Sequence, residues 1–158
     1  MSLNLEIPGK NTLLLEGVLC DMNGTLTTDG RLAPEVAAGL EKLAELVKIY
    51  IMTADTFGTA AETFAPLPLE LVTMAAGIPA ATAKLNFLKK LGSATHAAIG
   101  NGYNDHLMLK EAVVGICIIG HEGAHSLALN AADLVVSNPL AALNLFLQPK
   151  RLLAGLRN

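Results

Sequence analysis

Charge is scarce in this chain. Only 16% of its 158 residues are Asp, Glu, Lys or Arg, and 52% are hydrophobic. An average domain carries about 25% charged residues, and a disordered chain carries few apolar ones, so disorder is excluded. Long hydrophobic runs are lacking too. Mean hydropathy is +0.46, yet no stretch approaches the ~18 consecutive apolar residues of a spanning helix. Gly, Asp, Asn or Lys interrupts each run. A surplus of basic residues is also missing: 11 Lys and Arg stand against 14 Asp and Glu, for a net charge of −3. That balance argues against nucleic acid as a partner. The start, Met1-Ser2-Leu3-Asn4-Leu5-Glu6, has neither the basic region nor the apolar stretch of a signal peptide. A cytoplasmic protein without membrane contact is expected. The only two cysteines, Cys20 and Cys117, lie inside apolar runs and are expected as buried thiols. The length suits a single domain over residues 1–158.

What is present is a series of short apolar runs: Leu13–Cys20, Val47–Met52, Leu69–Thr73, His96–Ile99, Val113–Ile118 and Leu134–Val136. They read as strands buried on both faces. Segments of helical spacing lie between them: Pro34–Leu46, Thr59–Phe64, Ala80–Leu91, Asn104–Ala112, Ala124–Ala131 and Leu140–Leu147. The alternation predicts an α/β fold of three layers, with a mostly parallel sheet between helices. Leu3–Ile7 and Thr12–Leu15, around Pro8-Gly9-Lys10-Asn11, predict an N-terminal β-hairpin.

Ligands of open α/β sheets bind at the carboxyl ends of strands. The first long run is followed by Asp21-Met22-Asn23-Gly24-Thr25-Leu26-Thr27, the second by Thr53-Ala54-Asp55-Thr56, and the fourth by Gly100-Asn101-Gly102-Tyr103-Asn104-Asp105. A carboxylate at a strand end, followed by Gly and Thr, suits a metal or a phosphoryl group. A carboxylate can also be a nucleophile. Each segment alone reads equally as a turn. Their joint placement at neighbouring strand ends favours a site.

The segment Asp21–Thr27 resembles the first motif of the haloacid dehalogenase (HAD) superfamily, in the P-type ATPase form Asp-Lys-Thr-Gly-Thr-Leu-Thr. Gly100-Asn101-Gly102-Tyr103-Asn104-Asp105, running on to Val113-Val114-Gly115-Ile116, is similar to the hinge motif of the same ATPases. Thr53-Ala54-Asp55 resembles their Thr-Gly-Asp, and Lys84 the lysine of the third motif. The resemblance implies a Rossmann-like HAD fold and a phosphohydrolase. Asp21 would form an aspartyl-phosphate. Backbone amides at Met22, Asn23 and Gly24, with Thr53, Ala54 and Lys84, would hold the phosphoryl group. Mg²⁺ would bind Asp21, the Asn23 carbonyl, Asn101 and Asp105. The substrate would be a phosphorylated small molecule or protein.

Two positions depart from the family pattern. Asn23 stands where HAD phosphatases carry an acid/base Asp, which implies slow turnover or a persistent phosphoenzyme. Asn101 stands where the family has a metal-binding Asp, so one negative charge is lost unless Asp55 or Asp105 compensates. These departures support an alternative: a catalytically weak phosphate- or nucleotide-binding regulator. A detached ATPase phosphorylation domain is a third reading, with no nucleotide-binding domain in the chain to support it. Neither gap between the motifs holds a cap domain. The resulting open site predicts a homo-oligomer. His121-Glu122-Gly123-Ala124-His125 invites a zinc site, but Gly123 makes a poor ligand-bearing helix, and a loop at the site rim is the expectation. His96 is expected in the core, and Thr28-Asp29-Gly30-Arg31 as a flap or turn.

Overall fold

The computed structural model describes residues 1–54 and 58–158. The chain opens with β1 (Leu3–Glu6) and β2 (Thr12–Leu15), an antiparallel hairpin in which Leu3 faces Leu15 and Glu6 faces Thr12. The run Leu13–Cys20 is therefore not one strand. It breaks at Glu16, whose N–H donates to the Thr95 carbonyl and whose carbonyl accepts from Lys48. That crossing carries the chain from the hairpin into β3 (Gly17–Asp21), every residue of which is buried.

Next come α1 (Pro34–Ala44), β4 (Lys48–Thr53), α2 (Thr59–Phe64), β5 (Glu70–Thr73) and α3 (Ala80–Leu91). Then follow β6 (His96–Gly100), α4 (His106–Glu111), β7 (Gly115–Ile118), α5 (Ser126–Ala131), β8 (Leu134–Val136), α6 (Pro139–Leu147) and α7 (Pro149–Leu156). Pro34 starts α1 with its preset φ and no wasted donor, and Val36, Leu40 and Leu43 line its buried stripe. The C-terminal tail is a helix that docks on the core through fully buried Leu152.

Six strands form one parallel sheet in the order β5-β4-β3-β6-β7-β8. The period of two divides its side chains. Val18, Cys20, Ile49, Ile51, Ile116 and Ile118 face α1, α2, α6, α7 and the hairpin. Leu19, Tyr50, Met52, Ala98 and Cys117 face α3, α4 and α5. The edge strands β5 and β8 are only half-buried. Both cysteines are free and buried, and burial raises both thiols above their ordinary pKa.

The fold has no cap among the described residues. A flap and α1 separate β3 from β4, and α2 and β5 separate β4 from α3. The flap is a tight turn in which Thr28 and Arg31 exchange both backbone hydrogen bonds, with Asp29 and Gly30 at positive φ. No helix among the described residues is long and apolar enough to cross a membrane.

Candidate active site

The chain leaves β3 towards β4 and β5 on one side, and returns through β6 on the other side of β3. The strand order therefore reverses between β3 and β6, and the crevice above such a reversal is where open α/β sheets bind ligands. Asp21 ends β3 there, Thr53 ends β4, and the loop after Gly100 leaves β6. A cleft of about 260 Å³ at this edge is lined by Asp21, Met22, Asn23, Thr53, Ala54, Lys84, Asn101, Glu122 and their neighbours.

Lys84 reaches the cleft from the buried face of α3. That face carries Ala81, Lys84 and Leu88, not the Leu85-Leu88-Leu91 stripe that leucine spacing suggests. Lys84 is 2% exposed, and its ammonium donates to Asp21 Oδ1 at 2.6 Å and to Asp105 Oδ1 at 2.7 Å. Burial alone would lower the Lys84 pKa, but the two carboxylates outweigh it and hold it above the ordinary value. Asp21 is pushed up to about 6, chiefly by burial and then by the Asp105 charge, against the pull of Lys84 and Thr25. Two carboxylates thus share one ammonium in a nearly dry pocket.

Asp105 is fully buried. Its second oxygen accepts from the N–H groups of Asn101 (2.9 Å) and Gly102 (3.0 Å), so both oxygens are engaged in shaping the loop and holding Lys84. Gly100 makes room for this: a Cβ there would lie 2.5 Å from the Asp105 side chain. The Thr25 hydroxyl is shared between Asp21 Oδ2 (3.2 Å) and Asn101 Oδ1 (3.0 Å), which sets those two oxygens side by side.

The loop after Asp21 is tightly wound. The N–H groups of Thr25, Leu26 and Thr27 converge on the Met22 carbonyl, and the Gly24 N–H donates to the Thr27 carbonyl. Of the three amides expected to hold a phosphoryl group, that of Gly24 is therefore engaged within the loop. Asn23 is exposed, with its side-chain oxygen accepting from the Thr27 hydroxyl at 3.4 Å. Thr53 is buried at the cleft wall and Ala54 lies beside it. Asp55 and Thr56 lie outside the described residues.

The structure thus gathers Asp21, Met22, Asn23, Thr53, Ala54, Lys84 and Asn101 around one cleft, with Gly24 and Asp105 supporting it from behind. It adds Glu122, from the His121–His125 segment expected as a loop at the site rim. The histidines serve other ends. His96 is buried, with Nδ1 against the Gly92 carbonyl and the Thr95 hydroxyl. His125 caps α5 by accepting from the Leu127 N–H. No three His, Cys, Asp or Glu side chains gather as a metal site among the described residues.

No family model matches the chain. Two proteins of Methanocaldococcus jannaschii, both described as uncharacterised, are similar in sequence. MJ0073 is 51% identical over 61 residues, 39% of this chain and 66% of that protein. MJ0072 is 46% identical over 39 residues, 25% of this chain and 89% of that protein. The chain therefore spans just under two thirds of the first of these relatives. Among solved structures, 3-deoxy-D-manno-octulosonate 8-phosphate phosphatase from Moraxella catarrhalis, in complex with magnesium, phosphate and KDO, superposes with a TM-score of 0.70. It is 18% identical, over 85% of this chain and 86% of that one. The cobalt-bound phosphatase of the same kind from Haemophilus influenzae gives 0.69, at 17% identity over 85% and 88%. A zinc-transporting PIB-type ATPase gives 0.62 at 29% identity, over 78% of this chain but only 20% of the ATPase. The chain therefore has the Rossmann-like fold of these phosphatases. By sequence it belongs to one family with MJ0072.

Proposed function

We propose that the chain is a Mg²⁺-dependent phosphohydrolase of phosphomonoesters, working through an aspartyl-phosphate on Asp21. The observation that carries this reading is the buried pairing of Asp21 with Lys84 and Asp105 at the carboxyl edge of β3. The phosphatase neighbours of the same fold support it. An Asp21 oxygen attacks phosphorus, and the phosphorus–oxygen bond to the leaving group breaks. Water then attacks the phosphorus, the bond to Asp21 breaks, and inorganic phosphate leaves. Lys84 offsets negative charge on the nucleophile and the phosphoryl oxygens, and Thr53 donates to one of them. Such catalysis is mostly positioning and electrostatics. Asp105 acts at one remove, by holding Lys84 and the Asn101 loop in place.

The donor set fits a hard divalent cation. The Asp21 carboxylate, the Asn23 carbonyl and Asn101 Oδ1 offer oxygen only, and two carboxylates exceed one ammonium by one negative charge. When bound, the cation withdraws charge from the transferring phosphoryl group. Magnesium and cobalt are named with the two phosphatase neighbours.

Asn23 has no proton to exchange, so the leaving group departs and the water attacks without acid/base help from that position. Well-placed acid/base groups contribute about 10²–10⁴-fold. Asn23→Asp is therefore expected to raise steady-state turnover about 10²-fold in a phosphatase panel with Mg²⁺. Brisk wild-type turnover that Asn23→Ala leaves intact would overturn the argument. A protein that binds phosphate esters but hydrolyses none, in either form, would instead be the regulator that Asn23 and Asn101 together suggest.

The same reading takes residues 1–158 as one HAD core domain in the cytoplasm, acting on a phosphorylated small molecule or protein. It also takes the chain as a homo-oligomer. Ile78, Tyr103, Ile119 and Leu127 are exposed, and all four lie on segments at the carboxyl edge of the sheet, around the uncapped cleft. Light scattering is expected to give a mass of two or more chains across concentrations. A constant monomer mass would remove this part of the reading.

A further inference from the structure

The sequence lacks a carboxylate at Asn101, and the fold brings one to the same place from elsewhere. Glu122 lies on the loop that follows β7. Residues 120–123 of that loop form a tight turn, closed by the Gly123 N–H on the Gly120 carbonyl at 2.9 Å, with Gly123 at φ +71°. The turn is fastened to Asn101 twice. Asn101 Nδ2 donates to the Gly123 carbonyl at 3.2 Å, and the His125 N–H donates to the Asn101 carbonyl at 2.8 Å.

This fastening lays the Glu122 side chain across Gly24. A Cβ at Gly24 would overlap the Glu122 carboxylate and would lie 2.9 Å from Asn101 Nδ2. Gly24 follows Asn23 directly, so the Glu122 carboxylate stands against the loop that carries the Asn23 carbonyl, on the side of the Asn101 side-chain amide. It lines the same cleft as Asp21, Asn23, Lys84 and Asn101. Among the described residues it has neither a hydrogen-bond nor an ion-pair partner. The charge count points the same way. Asp21 and Asp105 against Lys84 leave one negative charge, and Glu122 brings the excess to two, which matches a divalent cation.

We propose that Glu122 supplies the anionic charge absent at Asn101, as a donor towards the divalent cation of the Asp21 site, directly or through a metal-bound water. The proposal rests on the metal-dependent reading above, and it adds a residue from outside the motifs to the site. Glu122 also explains why position 24 needs more than a backbone that tolerates its φ of +72°. Any side chain there would displace the carboxylate.

The test is calorimetric titration of Mg²⁺ and Mn²⁺ into metal-free protein, for wild type, Glu122→Gln, and Glu122→Gln combined with Asn101→Asp. Glu122 is exposed and glutamine keeps its shape, so the metal-free melting temperature is expected to hold. Affinity for both ions is expected to fall about 10-fold or more in Glu122→Gln, the scale of losing a supporting group at a metal site. The double variant is expected to recover most of that loss, because it returns a carboxylate to the same place. Glu122→Gln binding both ions within twofold of wild type would overturn the proposal and leave the metal-dependent reading standing. Wild type binding neither ion would remove both.

Discussion

Asp21→Asn is expected to abolish phosphomonoester hydrolysis, by about 10⁴-fold or more, in a protein that stays folded. The size follows from chemistry. An amide oxygen is a poor nucleophile, and removing the nucleophile of a covalent mechanism leaves only what positioning and electrostatics can do. The intact fold follows from geometry. Asparagine matches aspartate in shape, and Lys84 keeps its 2.7 Å contact with Asp105. Asp21 is also a group whose charge burial opposes, with a pKa pushed up to about 6, so losing that charge costs the metal-free fold little. The measurement pairs an Mg²⁺-supported phosphatase assay with a thermal melt. Activity that survives Asp21→Asn would remove the aspartyl-phosphate. A collapsed melt would mean that the carboxylate is structural, and Asp21→Glu would then separate the roles, since it keeps the charge and misplaces the attacking oxygen.

The second large effect is on stability. Lys84 is the single cation paired to two buried carboxylates. Lys84→Met keeps most of the volume and removes the charge, leaving Asp105 fully buried with a net negative neighbourhood. Breaking a buried pair from one side costs about 3–5 kcal/mol. For a chain of this size that is a fall of about 10 °C in melting temperature. Lys84→Met combined with Asp105→Asn is expected to recover part of the fall, because the cost lies in the uncompensated charge and not in packing. A double variant no more stable than Lys84→Met alone would show that Lys84 matters through its contacts along α3 instead.

The parallel sheet was legible because its strands are short apolar runs that end in polar clusters. Hydrophobic order announces a buried strand, and the residue that breaks it marks the strand's carboxyl end. Asp21, Thr53 and Asn101 all stand at such breaks. Lys84 was legible only through its place in the order of motifs; the leucine spacing of its helix pointed to another face. The division of Leu13–Cys20 at Glu16 was not legible, because the backbone bonds that hold Glu16 come from Thr95 and Lys48, far along the chain. The segment His121–His125 was legible as a loop at the site rim, but the place of Glu122 beside Gly24 was not, because it depends on a turn fastened to Asn101. The engagement of both Asp105 oxygens likewise depends on where α3 brings an ammonium, which no local pattern encodes.

The Lys84 contacts also bear on how the molecule assembles. Lys84 lies 63 residues after Asp21 and 21 before Asp105. Strand β3 sits between β4, which follows it closely, and β6, which comes much later. Contacts of such long sequence separation slow folding, because loop closure must precede their reward. During synthesis, β3 and β4 can pair while Asp21 still faces water. Its burial becomes tolerable only once α3 brings the ammonium, and the cleft is complete only when the loops after β6 and β7 close over it. No fragment that ends before β7 can hold the complete site, so competence for chemistry is a late event in folding.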